Sequence, residues 1–124
     1  MPRTRYLNWP EYLCEALGVG LFVMSVGACA TLISGPTSPI REAVPGEFAR
    51  RVLVGLTMGL TAIILIYAPW GRASGAHLNP ATTLTFWRLG RVSGRDAVFY
   101  TLAQFVGAAV GNVYVCAIFS CDFL

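Results

Sequence analysis

The sequence predicts an all-α integral membrane protein: three transmembrane helices and one re-entrant half-helix, in a single unit covering residues 1–124. Three observations carry that prediction. Hydrophobic residues make up 56% of the chain and charged residues only 12%, with a mean hydropathy of +0.62, whereas soluble domains average about 25% charged. Three apolar runs are each about as long as the ~20 residues that cross ~30 Å of hydrocarbon at ~1.5 Å per residue. Between the second and third runs lies a polar, proline-broken stretch, "SGAHLNPATTLTFW" at 74–87, too short to span and out of keeping with its flanks.

The first run, "YLCEALGVGLFVMSVGACATLIS", gives a span at about 12–34. It begins too late and runs too long for a cleavable signal segment. "GPTSPIREAVPGE", residues 35–47, holds three prolines, two glycines and three charges, a surface-loop composition. The second span falls at about 49–69, closed by Pro69 and Gly71. The third span is expected at about 97–119, after the arginine-rich "RLGRVSGRD".

The spans are expected to pack through small residues. Gly55/Gly59 and Gly107/Gly111 are GxxxG pairs, and Ala16/Gly20 is a third small pair. In lipid, close backbone approach replaces hydrophobic drive as the cause of helix association. Arg3 and Arg5 precede span one, and Arg72, Arg88, Arg91 and Arg95 separate spans two and three, against Arg41, Arg50 and Arg51 on the other side. That bias places the N-terminus in the cytoplasm, in a cell membrane. The nine arginines are too scattered for a nucleic-acid footprint. Cys14, Cys29 and Cys116 sit in apolar runs, where a thiol acts as a small hydrophobe. With Cys121 they form no CxxC pair, so no metal or other cofactor is expected.

The central stretch, 74–89, carries the chemistry. Asn79 is a strong N-cap and Pro80 fits the first helical position, so a helix should start there and end near Gly90. Nine or ten residues at ~1.5 Å each cover about half of the hydrocarbon. Non-helical backbone reaches membrane depth only when it is buried in protein or lines water. The residues therefore fit a segment that dips in from the cytoplasmic side and returns to it. A short interfacial helix or an ordinary capped loop is the alternative. A half-helix that starts at mid-membrane would point its positive dipole end there, while extended backbone at Gly75, Ala76 and His77 could offer carbonyl oxygens. Glu15 should face the protein interior, because a charge in lipid is costly. Gln104 and Asn112 are expected to form hydrogen bonds between helices. No nucleophile elbow, HExxH or triad spacing is present, so no enzyme activity is expected.

"SGAHLNPA" resembles the first signature motif of the aquaporin and aquaglyceroporin channels, the major intrinsic proteins. "CEALGVGLFV", "GLTMGLTAIILIY" and "RVSGRDAVFYTLAQFVGAAVG" are similar to that family's first three helices. The resemblance implies a channel for water or small neutral solutes such as glycerol, assembled as a homotetramer in the lipid bilayer. It implies that Asn79 donates its amide to the passing oxygen, with Pro80 and Ala81 completing the cap. Carbonyls of Gly75, Ala76 and His77 would line the pore, and Glu15 would bond to the loop backbone. Met58 or Gly59 would take the constriction position of the second helix. Family members carry two inverted repeats, and this chain resembles the first alone. It is therefore expected to be an incomplete pore, the first half of a split or fragmented gene, completed by a second-half chain. Pairing with an inverted second copy is another reading. So is a non-conducting protein that modulates full-length relatives.

Overall fold

A computed structural model describes residues 7–119; Arg3, Arg5 and Cys121 lie outside the described residues. Six helices follow in order: α1 Trp9–Ser34, α2 Pro39–Ala43, α3 Glu47–Tyr67, α4 Pro69–Ser74, α5 Pro80–Arg88 and α6 Gly94–Phe119. Three of them, α1, α3 and α6, are long and apolar enough to cross a membrane. The fold class is all-helical, with three candidate spans and short helices between them.

Local sequence sets each boundary. Asn8 begins α1 through its carbonyl, which accepts from Glu11 N at 3.0 Å and Tyr12 N at 3.2 Å. The hydroxyl of Ser38 caps α2, accepting from Ile40 N at 3.2 Å and Arg41 N at 3.4 Å. α3 stops at Tyr67 because Ala68 precedes a proline and is held at φ −58°, ψ 144°, clear of the helical region. Pro69 then starts α4, a helix that the sequence reading did not anticipate; Pro69 and Gly71 re-start the chain rather than simply closing span two. α4 folds back so tightly that a Cβ on Gly71 would collide with the Leu65 carbonyl. α5 ends in a left-handed Gly90 (φ 69°), with Arg91 N bonded to Phe86 O at 2.9 Å, the Schellman arrangement of a glycine C-terminus. At the start of α6 the Ser93 hydroxyl accepts from Asp96 N at 3.1 Å and donates to Asp96 Oδ2 at 2.6 Å, a side-chain cap on the first turn.

α1 is the hub, with its broadest contact on α6 and further contacts to α3 and α4; α5 rests on α6. The α1–α6 seam is made by small residues. A Cβ on Gly107 would strike the Ala16 carbonyl, one on Gly111 would come 2.6 Å from Gly20 O, and one on Gly27 would lie 2.5 Å from Val115 Cγ1. Ala16/Gly20 and Gly107/Gly111 thus face each other as the pattern predicted. Gly55 and Gly59 do not follow it: nothing lies within 4 Å of a Cβ built on either, because that face of α3 turns away from the other helices. Only Leu65 of α3 is buried, while Phe48, Leu56, Leu60 and Ile64 are exposed, as an apolar face toward lipid requires. The reading of the cysteines also needs correction. Cys116 is disulfide-bonded, whereas Cys14 and Cys29 are free thiols; an apolar setting does not reveal whether a sulfur has a bonded partner.

Candidate functional site: a carboxylate-pinned loop

The unwound residues 75–79 lie between α4 and α5 and are held from one point, the carboxylate of Glu15 on α1. Glu15 has no exposed surface. Its Oε1 accepts from His77 N at 2.9 Å and Ser74 Oγ at 2.8 Å; its Oε2 accepts from Leu78 N at 2.8 Å and Gln104 Nε2 at 2.9 Å. Four donors converge on two oxygens. A carboxyl group is tolerated in so buried a place only when its lone pairs are filled.

The backbone so held is strained. Gly75 sits at φ 86°, Ala76 at φ 46° and Leu78 at φ 51°. Gly75 and Ala76 are therefore left-handed, not extended as the sequence reading expected. The left-handed region costs a residue with a Cβ about 1–2 kcal/mol, so Ala76 and Leu78 together store about 2–4 kcal/mol. The two charge-assisted amide bonds from His77 N and Leu78 N, at about 1.5–3 kcal/mol each, are large enough to hold that conformation. Leu78 adds a packing lock: its side chain fills the space that a Cβ would occupy on Gly18, beside Trp70.

A second layer fixes the His77 ring. It stacks on Phe86 at 4.8 Å with an interplanar angle of 8° and lies 4.9 Å from the ring of Tyr100. Its Nδ1 is 3.1 Å from Thr83 Oγ1, which also accepts from Gln104 Nε2 at 3.0 Å. Thr83, on α5, is 1% exposed, so α5 is bound to the Glu15 cluster through a hydroxyl. The Tyr100 hydroxyl has two acceptors within reach, Ser74 O at 2.9 Å and Glu11 Oε2 at 2.8 Å. Ser74 and Thr83 were not singled out in the sequence. Thr83 stands four residues after Asn79, one helical turn along the same face, and that spacing is the signal that marks it.

Asn79 begins α5 in extended backbone (φ −158°, ψ 131°), and its Oδ1 accepts from Ala81 N at 2.8 Å. The cap thus uses the oxygen. The Nδ2 amide makes no hydrogen bond among the described residues, and Asn79 is exposed. Pro80 is half-buried and Ala81 exposed. Gly75 and Ala76 border an open hollow of ≈ 440 Å³, shared with Ile66, Tyr67 and Arg72. Met58 is half-buried and Gly59 exposed on α3, and neither belongs to the hydrogen-bonded cluster. Gln104 makes the interhelical bonds described above. Asn112, expected to do likewise, is exposed and makes none among the described residues, because it lies off the α6 face that carries Gln104, Gly107 and Gly111. Among the described residues no group of His, Cys, Asp or Glu could hold a metal ion. What the site presents is a rigid loop, a free amide donor and a helix N-terminus.

Comparison with known proteins places the chain in a family. The family model described as major intrinsic protein matches residues 3–122. Aquaporin AqpM of Methanothermobacter marburgensis is 35% identical over 109 residues, covering 80% of this chain and 44% of the relative. Aquaporin-1 of Canis lupus familiaris is 36% identical over 116 residues (92% and 41%), and aquaglyceroporin AqpS of Rhizobium meliloti 35% over 101 residues (81% and 40%). The chain thus spans less than half the length of these relatives. No solved structure matches it.

Proposed function

The chain belongs to the major intrinsic protein family, and from that premise we propose that it supplies one half of a membrane pore for water or small neutral solutes such as glycerol. The observation that carries the reading is the divided role of Asn79. Its oxygen closes the α5 cap on Ala81 N while its amide stays unbonded, a fixed donor for the oxygen of a passing molecule. The positive end of the α5 dipole stands at the same point and repels cations. Gly75, Ala76 and His77 contribute carbonyls on the approach, and Met58 or Gly59 faces the constriction. The N-terminus lies in the cytoplasm.

One such half does not enclose a path. An α5 N-terminus facing hydrocarbon would leave polar groups unsatisfied at several kcal/mol each. The working pore therefore needs a second half, from another chain or another copy, within a homotetrameric assembly of the kind the family resemblance implies. Stopped-flow swelling of proteoliposomes tests this. The chain alone should give the permeability of empty vesicles. Co-expression with a second-half chain should raise it, and Asn79→Asp should abolish the gain. Full flux from Asn79→Asp, or none from any pairing, would refute the reading.

A further inference from the structure

Beyond the pore, we propose that the groove between α5 and α6 is a binding site for an anionic phospholipid. Its acyl chain lies in the groove, and its headgroup phosphate sits among the arginines of the α5–α6 turn. The groove has a volume of ≈ 300 Å³ and an almost wholly apolar lining that includes Leu84, Trp87, Ala97, Val98 and Leu102. Leu84, Val98 and Leu102 are at least half exposed and Trp87 is 44% exposed, so the chain itself does not fill it. At one end it meets the turn formed by residues 89–93, between α5 and α6. Arg88 directly follows Trp87 of the lining, Arg91 lies in the turn, and Arg95 adjoins Gly94 of the lining.

Charge at that end is in excess of one sign. Arg88 and Arg91 are exposed and make no side-chain hydrogen bond or ion pair among the described residues. The nearby acid, Asp96, has both oxygens engaged, by the hydroxyls of Tyr12 and Ser93. Two exposed guanidinium groups on residues that adjoin the lining of an apolar groove or lie in the turn at its end match the chemistry of a phosphate joined to an acyl chain, because guanidinium pairs with phosphate in a bidentate fork. Trp87 supplies the amphipathic ring favoured at headgroup depth. A neutral lipid would gain the same contact with the groove walls, so selectivity rests on the arginines. The Schellman turn at Gly90 fixes where they stand relative to the groove.

The test is native mass spectrometry of the full chain in detergent, with phosphatidylglycerol or phosphatidylcholine added at equal concentration. One guanidinium near a membrane surface contributes about 1 kcal/mol toward an anionic lipid, about a five-fold preference. Arg88 and Arg91 together should give roughly a thirty-fold preference for phosphatidylglycerol. R88Q/R91Q should bring the two lipids to near equality. V98W should lower retention of both by filling the groove. Arg72→Gln, which removes an arginine bonded instead to Tyr67 O, should leave the preference intact and so separates a local site from net charge. Equal retention of both lipids by the wild type would overturn the proposal. So would a preference unchanged in R88Q/R91Q, an equal loss in Arg72→Gln, or binding untouched by V98W. None of these readouts depends on flux.

Discussion

Replacing Glu15 with glutamine changes one atom, and the structure allows its cost to be worked out. Whichever way the amide is turned, its oxygen can serve only two of the four donors that now meet the carboxylate. With Oε1 retained toward His77 N and Ser74 Oγ, the new NH2 faces Leu78 N and Gln104 Nε2, both donors themselves. Two charge-assisted bonds are lost, each worth about 1.5–3 kcal/mol, for a local loss of about 3–6 kcal/mol. The left-handed backbone at Ala76 and Leu78 then has only half of its counterweight.

Amide hydrogen exchange of the chain in lipid nanodiscs, read by mass spectrometry on a peptide covering 75–79, measures that loss directly. Each ~1.4 kcal/mol off a local opening free energy speeds exchange about ten-fold, so the segment should exchange at least about 100-fold faster in Glu15→Gln. Glu42→Gln, an exposed acid on α2, is the control and should change nothing. Exchange in Glu15→Gln within about three-fold of the wild type would show that the carboxylate does not pin the loop, and the strain ledger above would fail with it.

Three further outcomes follow from the same contacts. Thr83→Val keeps the shape and removes the oxygen that meets both His77 Nδ1 and Gln104 Nε2; it should cost about 1–3 kcal/mol for each buried polar group left unpaired, seen as a lower midpoint of denaturant unfolding in detergent. Gly107→Ala forces a Cβ into the Ala16 carbonyl and should cost about 1–3 kcal/mol by overpacking, whereas Gly55→Ala, with open space around it, should be neutral or slightly stabilising; thermal melts of the two variants compare them side by side. Asn79→Asp retains the oxygen that caps α5, so its melting midpoint should stay within a few degrees of the wild type even as the flux gained with a second-half chain disappears.

Much of this was legible in the sequence because the bilayer leaves few choices. Apolar length marked out three helices long enough to cross a membrane, and Asn79-Pro80 marked the start of α5. The small pairs on α1 and α6 found each other because backbone contact is the main available cause of close packing in lipid. The pair at Gly55/Gly59 shows the limit of that signal: the same pattern marks a contact only when a partner helix stands opposite, and among the described residues none does. α4 was missed because a pre-proline residue ends one helix and the proline begins the next, so one residue type signals both events. The conformation of 75–78 was missed for a different reason. Ala76 and Leu78 have no local preference for positive φ, and their geometry is imposed by Glu15, some sixty residues away in sequence.

That distance explains why the seam and the loop behave as one device. Tyr100, Gln104, Gly107 and Gly111 form the single buried face of α6. Gly107 and Gly111 bring α6 against Ala16 and Gly20, and Gln104, one turn earlier, consequently reaches Glu15 at 2.9 Å. The same face sets Tyr100 against His77 and Ser74. Close approach of two backbones thus fixes a glutamine, the glutamine and a serine orient a carboxylate, and the carboxylate holds two amides in a conformation they would otherwise leave. Widening the seam at Gly107 should therefore loosen residues 75–79 even though Gly107 touches none of them.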